Sequence, residues 1–228
     1  MAQNTFKRIE IKYLLSEEQY NSLMKILEEY MEVDKYGLSK ITSLYFDTEG
    51  YDIIRESLEK PQYKEKLRIR GYGEMNEKSK VFLELKKKYK GTVYKRRIEL
   101  TYKEAMDYLN DGVKPQTESQ ILNEIDYFIN YYKPNKRTYI EYMRIALYGK
   151  EDRQFRITFD KDIKAKFDEQ SLLGVTPDKV LLGEKEYLME IKGALSMPGW
   201  LSSALSELKI YPGSFSKYGT ACLNECAE

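Results

Sequence analysis

The chain has 228 residues, with 38 Lys+Arg against 37 Asp+Glu and a formal net charge of +1. This balance argues against a uniformly basic surface, and thus against a nucleic-acid partner. Because the sequence contains no histidine, it excludes histidine general bases, Ser-His-Asp triads and histidine metal ligands. Any metal would be held by carboxylates and phosphates, which favours Mg²⁺ or Mn²⁺ over Zn²⁺.

Strand-like and helix-like segments alternate along the chain and predict a mainly β, α+β fold in one domain, residues 1–228. A capping box follows Ser16, Lys90-Gly91 predicts a tight hairpin, and Pro198 sits where the last helix begins. Helices are predicted from Ser16 to about Met31, over 103–110 and 118–132, and from Pro198 to about Leu208. Strands are predicted near 5–14, 40–46, 63–72, 80–89, 92–101, 136–148, 153–160 and 186–193, with shorter extended pieces at 163–168 and 179–182.

Basic residues alternate along the predicted strand 63–72. Successive side chains of a strand point to opposite faces, so four cations share one face and the aliphatic residues between them share the other. The four cations are Lys64, Lys66, Arg68 and Arg70. Residues 64–97 hold 13 Lys+Arg against 4 Asp+Glu, a local excess of nine positive charges. Several strands with the same bias predict a site for a compact polyanion, although a single such strand is more often a solvated face.

Two arrangements of about eight antiparallel strands fit this pattern. An open sheet would expose the charged face, whereas a closed barrel would enclose it and pack the helices outside against the aliphatic face. Enclosed cations need anions, either lining carboxylates or a bound phosphate chain. Glu10, Glu84 and Glu190 are the available internal counter-charges.

Eight segments in order resemble the VTC domain, the polyphosphate polymerase domain of the vacuolar transporter chaperone proteins, from about Phe6 to Gly219. The segments are FKRIEIKYLL, SLYFDT, YKEKLRIRGYG, VFLELKKK, VYKRR, RITFD, LMEIKG and SFSKYG. This family belongs to the triphosphate tunnel metalloenzymes, which are related to the CYTH phosphatases. The resemblance implies an eight-stranded antiparallel β-barrel tunnel with helices outside, in the stand-alone form found in bacteria.

The resemblance also implies roles for individual residues. The positions matching its catalytic cations are Lys12, Arg68, Arg70, Lys86, Lys95, Arg144, Arg156, Lys192 and Lys217. Those matching or accompanying its substrate contacts are Lys66, Arg97, Tyr142 and Ser216, and Glu190 matches its metal-binding glutamate. Tyr142 is equally compatible with core packing, Asp160 with a metal contact or a turn, and Asp47 is interpreted as structural.

The implied activity is transfer of the ATP γ-phosphate to a growing polyphosphate chain, with Mn²⁺ or Mg²⁺ as cofactor and pyrophosphate or polyphosphate as acceptor. A tunnel-type triphosphatase and a non-catalytic polyphosphate or nucleotide binder remain alternatives. The sequence shows no signal peptide and no long apolar segment, which predicts a cytoplasmic protein whose membrane partner, if any, is a separate chain.

Overall fold

The structure, a computed structural model, describes residues 9–90, 92–116, 119–193 and 196–225. Within these residues it has eleven strands and six helices. The strands are β1 (Ile9–Ser16), β2 (Met31–Val33), β3 (Ser39–Asp47), β4 (Tyr63–Tyr72), β5 (Lys80–Tyr89), β6 (Thr92–Thr101), β7 (Asn135–Gly149), β8 (Arg156–Phe167), β9 (Lys179–Val180), β10 (Glu186–Gly193) and β11 (Pro212–Gly213). The helices are α1 (Glu17–Tyr30), α2 (Asp52–Leu58), α3 (Tyr102–Asp111), α4 (Gln120–Tyr132), α5 (Gly199–Glu207) and α6 (Lys217–Glu225).

The predicted secondary structure is confirmed most closely where local signals are strong. Strands β4, β5, β6 and β10 have the predicted bounds. Between β5 and β6, Lys90 has a left-handed φ of 45°, as a tight hairpin turn requires; Gly91 and residues 5–8 of the first predicted strand lie outside the described residues. Ser16 and Gln19 form the predicted capping box at the start of α1, and Pro198 is the N-cap of α5.

Helices α2 and α6 and the short strands β2 and β11 were not predicted. Helix α2 starts after Tyr51, which makes no side-chain cap; instead Asp47 accepts hydrogen bonds from the backbone N–H groups of Ile53 and Ile54. A cap supplied from outside the helix leaves no local sequence signal. The predicted segments 153–160 and 163–168 are one strand, β8, which passes through a left-handed residue at Asp162, φ 53°.

The chain divides into two compact units, of which unit 1 comprises residues 1–39, 142–163 and 182–216. Strand β1 pairs antiparallel with both β10 and β11, β10 pairs with β8, and β2 pairs with the end of β7. Helices α1 and α5 bury their apolar residues with one face of these strands, in a core that includes Leu23, Leu27, Phe159, Met189 and Leu201. Trp200 of α5 stacks on Tyr30 of α1 with ring centroids 4.2 Å apart, which packs these two helices together.

Unit 2 comprises residues 40–141, 164–181 and 217–228. Strands β3, β4, β5 and β6 are consecutive antiparallel neighbours, and β9 pairs with the end of β8. One face of these strands is apolar and packs against α3 and α4, in a core that includes Leu67, Ile69, Leu83, Ala105, Ile125 and Phe128. The other face carries the predicted basic residues.

The fold is therefore α+β and mainly antiparallel β, as predicted. Each unit has an apolar strand face covered by helices and an opposite face rich in charged side chains. The single domain over 1–228 remains a prediction.

Candidate functional site

The polar face of unit 2 gathers the predicted basic side chains of three strands, β4, β5 and β6. Leu67 and Ile69 of β4 are fully buried on the opposite face, which confirms the alternation. The β4–β5 register places Lys66 opposite Lys86 and Arg68 opposite Glu84. In the next pair, Lys86 lies opposite Lys95 and Glu84 opposite Arg97. We call this surface the basic face, which consists of Lys64, Lys66, Arg68, Arg70, Lys86, Lys88, Lys95 and Arg97 around Glu84.

Glu84 is the anion at the centre of the basic face. Its buried carboxylate accepts hydrogen bonds from Nη2 and Nε of Arg68, at 2.7 and 2.9 Å. Lys95 Nζ lies 2.7 Å from its other oxygen, and Arg70 Nε lies 3.9 Å away. Burial would raise the pKa of Glu84, but Arg68, Arg70 and Lys95 outweigh it and lower the pKa to about 2. One negative charge thus faces three positive ones.

The pKa of Lys95 is shifted by the same group of neighbouring charges. About 42 % of its side chain is exposed, and its ammonium group contacts the buried carboxylate of Glu84. Desolvation together with the charges of Arg70 and Arg68 lowers the pKa of Lys95 to about 8, against the attraction of Glu84. A positive charge held so close to other cations is stabilised by any further anion that binds there.

Two tyrosines that sequence reasoning missed complete this surface. Arg68 Nη1 donates a hydrogen bond of 2.7 Å to the hydroxyl of Tyr45. Tyr218 of α6 stacks on Tyr45 with ring centroids 4.4 Å apart, and Lys66 Nζ lies 5.8 Å from the Tyr218 ring centroid. Burial would raise the pKa of Tyr45, but Arg68, Arg70 and Lys66 lower it to about 8.

The polar face of unit 1 is organised around Glu190. The β1–β10 register places Lys12 opposite Glu190 and Glu10 opposite Lys192. Lys192 Nζ donates to Glu190 Oε2 at 2.8 Å. Burial would raise the pKa of Glu190, but a hydrogen bond with Glu10 and the charges of Lys192 and Lys12 lower it below its usual range. Two carboxylates in contact share either a proton or a cation.

Arg144 forms an ion pair with the buried Asp160 in the same unit. Nε and Nη2 of Arg144 donate to the two oxygens of Asp160 at 2.5 and 2.7 Å. The Arg144 guanidinium also lies 5.2 Å from the ring centroid of Tyr142. Burial would lower the pKa of Arg144, but Tyr142 and Asp160 raise it. Asp160 therefore fixes the guanidinium of Arg144. This ion pair compensates the buried charge of Asp160.

The remaining predicted residues have varied surroundings. Lys12 Nζ donates to the carbonyl of Phe215 at 2.7 Å. The guanidinium of Arg156 lies 5.0 Å from the Tyr148 ring centroid, and that of Arg97 lies 4.7 Å from the Phe82 centroid. Unit 2 thus holds Lys66, Arg68, Arg70, Lys86, Lys95, Arg97 and Lys217, and unit 1 holds Lys12, Tyr142, Arg144, Arg156, Glu190, Lys192 and Ser216.

The carboxylates of unit 1 fit a divalent cation only in part. Among the described residues, no group of three acidic or cysteine side chains could hold a metal. Asp160 is engaged by Arg144, which leaves the Glu10 and Glu190 pair as oxygen donors. Mg²⁺ and Mn²⁺ suit such a pair, because Mg²⁺ commonly binds one or two carboxylates and takes its other ligands from substrate phosphates and water.

Across the parts of the chain that are described, no helix is both long and apolar enough to cross a membrane. A comparison with curated proteins found no match. The structure is similar to that of a candidate adenylate cyclase from Bacillus halodurans, with a TM-score of 0.56, 16 % identity and coverage of 92 % of this chain and 93 % of that one. It is equally similar to a candidate adenylyl cyclase from Hippeastrum, reported to have a dominant triphosphatase activity, with a TM-score of 0.56, 18 % identity and the same coverage of 92 % and 93 %.

At these identities the two structures show a shared fold. The sequence itself matches the profile of the VTC domain over residues 7–224. This match includes both polar faces and nearly the whole chain, and the chain therefore belongs to the VTC domain family.

Proposed function

We propose that this protein is a polyphosphate polymerase that transfers the γ-phosphate of ATP to the end of a polyphosphate chain. The observation that carries the proposal is the basic face, where eight cations share one strand face with the buried carboxylate of Glu84 and three of them contact it. A surface with this excess of positive charge is stabilised by a bound chain of phosphates. Family membership supports the same ligand class.

The residue types suit phosphoryl transfer without a general base. The terminal phosphate of a polyphosphate chain is already ionised, so the absence of histidine is no obstacle. The reaction requires mainly alignment of the reacting groups and cations at the phosphoryl oxygens. Arg68 and Arg70 offer planar forks to phosphate oxygens, whereas Lys66, Lys86 and Lys95 offer compact charges.

Glu190 and Glu10 would hold Mn²⁺ or Mg²⁺, which when bound supplies positive charge to phosphate oxygens. Lys12 and Lys192 flank the two carboxylates and limit the repulsion between them when no cation is bound. The eight-stranded closed tunnel implied by the family resemblance belongs to this proposal. A cytoplasmic location, a separate membrane partner and the lack of a nucleic-acid partner remain predictions.

A triphosphatase is the second candidate function. The similarity to the Hippeastrum protein, with its reported triphosphatase activity, favours it. Hydrolysis would use the same cations, with water in place of the acceptor phosphate. The two candidates therefore differ in the acceptor and in the product, which an experiment can separate directly.

The test is incubation of the purified chain with ATP, Mn²⁺ or Mg²⁺ and a trace of pyrophosphate, with products resolved by gel and by phosphorus NMR. A ladder of phosphate chains is expected. Orthophosphate without chains would identify the triphosphatase, and tight binding of tripolyphosphate without turnover would leave only a binder. Lys86→Ala should weaken turnover, whereas Lys103→Ala, which removes an exposed lysine paired with Asp107 on α3, should not.

A further inference from the structure

Arg68 is connected to the C-terminal helix by a continuous series of contacts. Its guanidinium is bonded on one side to Glu84 and on the other side to the hydroxyl of Tyr45. The rings of Tyr45 and Tyr218 stack, with their planes inclined by 17° to each other. Tyr218 in turn donates a hydrogen bond of 2.8 Å to Asp47. All five residues belong to unit 2.

The two partners of Arg68 fix the plane of its guanidinium. Glu84 takes Nε and Nη2, and Tyr45 takes Nη1, so rotation about the long side chain would break at least one hydrogen bond. An arginine fork discriminates phosphate geometries only when its plane is held. Tyr45 therefore restrains the orientation of the guanidinium, whereas Glu84 restrains it and also offsets its positive charge.

Tyr45 depends on Tyr218 for its own position. Both rings are buried, and an offset stack restrains the ring that carries the acceptor hydroxyl. Asp47 fixes the far end of Tyr218, and it is itself bound by the backbone N–H groups of Thr48, Ile53 and Ile54. Burial and the neighbouring Asp47 raise the pKa of Tyr218, so its hydroxyl remains a donor.

We propose that Tyr218 is a positioning residue, which orients Arg68 for phosphoryl transfer through Tyr45. The proposal rests on the proposed function for its effect on turnover, but its geometric part stands independently of it. Loss of the stack leaves every charge of the basic face in place. Binding of phosphate chains should therefore survive, while the alignment needed in the transition state should suffer.

The ordinary alternative is that Tyr218 merely packs α6 against the rest of unit 2. Tyr108 provides a matched control for that role, because it is also buried and also donates its hydroxyl to a carboxylate, that of Asp126. This pair joins α3 to α4 and has no member on the basic face. Tyr108→Phe removes the same hydroxyl as Tyr218→Phe, without touching the contacts of Arg68.

The first measurement is steady-state turnover of the variants, per folded molecule. Tyr218→Leu should lower kcat about tenfold and change KM less than about twofold, because orientation is lost while charge is kept. Tyr218→Phe keeps the aromatic stack, so its kcat should fall only about twofold and most of the activity lost in Tyr218→Leu should be retained. In a Tyr45→Phe background Tyr218→Leu should add little, because the hydroxyl that it positions is gone. Tyr108→Phe should leave both constants unchanged.

The second measurement needs no turnover. The Nη–H signals of Arg68 in a nitrogen-15 NMR spectrum, assigned by their loss in Arg68→Lys, should exchange faster with water in Tyr218→Leu, because Nη1 donates to Tyr45, and stay as in wild type in Tyr108→Phe. An unchanged Arg68 signal in folded Tyr218→Leu would overturn the proposal, and so would an equal change in Tyr108→Phe. If the wild type turns over no phosphate substrate, the proposed function fails, and the Arg68 signal alone decides on Tyr218.

Discussion

Glu84 and Glu190 are both carboxylates on charged strand faces, but their neighbours differ. Glu84 in unit 2 contacts Arg68, Arg70 and Lys95. Glu190 in unit 1 is bound by Lys192 and also contacts a second carboxylate, Glu10. The carboxylate of Glu84 therefore has more positive charge around it than its own negative charge balances. The carboxylate of Glu190 has a second carboxyl group beside it.

This difference indicates two different tasks for chemically identical groups. A carboxylate whose oxygens already interact with three cations is a poor ligand for a metal ion. It reduces the repulsion among those cations and so allows them to lie close together. A carboxylate beside another carboxylate gains by sharing a divalent cation. The comparison therefore indicates that Glu84 holds the basic face together, and it supports the metal-binding role that we propose for Glu190.

The largest expected effect is the destabilisation of unit 2 by Glu84→Ala. Removing the buried anion leaves three cations uncompensated, and breaking a buried ion pair costs about 3–5 kcal/mol of unfolding free energy. Urea denaturation should show this loss, and added tripolyphosphate should recover part of it, because the ligand replaces the missing negative charge.

Glu124→Ala is the matched control for Glu84→Ala. Glu124 pairs with Lys87 and Arg96, which lie on the opposite face of the same two strands, and it is about 21 % exposed. Its loss should cost about 0–1 kcal/mol, as for other partly exposed pairs. Equal losses for the two variants would contradict the special role of Glu84.

The acid dependence of stability should depend on Glu84 in the same way. Its pKa is about 2 in the folded protein against an ordinary value of 4.5. The stabilisation is therefore complete above about pH 4.5, and it is lost as the pH falls towards 2, by about 3 kcal/mol in total. In Glu84→Gln this component should be absent, so the unfolding free energies of variant and wild type should converge between pH 4.5 and 2. Parallel curves would refute the assignment.

For Glu190 the informative effects are those on metal binding and turnover. Glu190→Gln keeps the shape of the side chain but removes its charge, and turnover should fall on the order of a hundredfold, because a metal at phosphate oxygens contributes several kcal/mol. Manganese EPR in the presence of tripolyphosphate should show weaker Mn²⁺ binding in Glu190→Gln than in the wild type. Glu124→Gln serves as the control, and unaltered Mn²⁺ affinity in Glu190→Gln would place the metal elsewhere.

Much of the fold was accessible from the sequence because its signals are local. The alternation of charged and aliphatic residues defined β4 and β5, and Lys90-Gly91 defined the turn after them. Helix α2 was missed because its cap comes from Asp47, which precedes the helix by several residues. Helix α6 was missed because its strongest contacts, the stack on Tyr45 and the bond to Asp47, join residues far apart in the sequence.

The site was predictable to a similar degree. Shared strand faces predicted which cations would gather and named Glu84 and Glu190 as counter-charges. Alternation gives the face of a residue but not its partners, so the sequence could not show that Glu84 is over-neutralised or that Asp160 holds Arg144. Aromatic partners were equally hidden, because 21 tyrosines offer too many possible stacks for composition to select Tyr45 and Tyr218.

The smallest expected effect comes from a substitution that changes the shape of the Arg68 side chain but keeps its charge. Arg68→Lys keeps the positive charge beside Glu84, but a lysine cannot bond Glu84 and Tyr45 together as the arginine fork does. Turnover should fall about tenfold while the affinity for tripolyphosphate changes less than about threefold. Arg144→Lys, which breaks the fork on Asp160 in unit 1, provides the comparison. Its main cost should appear in urea denaturation, because Asp160 is buried and a lysine cannot reproduce the two-pronged bond of the arginine. If Arg68→Lys instead lost stability and kept full turnover, the basic face would be a structural device, and orientation of Arg68 would have no part in catalysis.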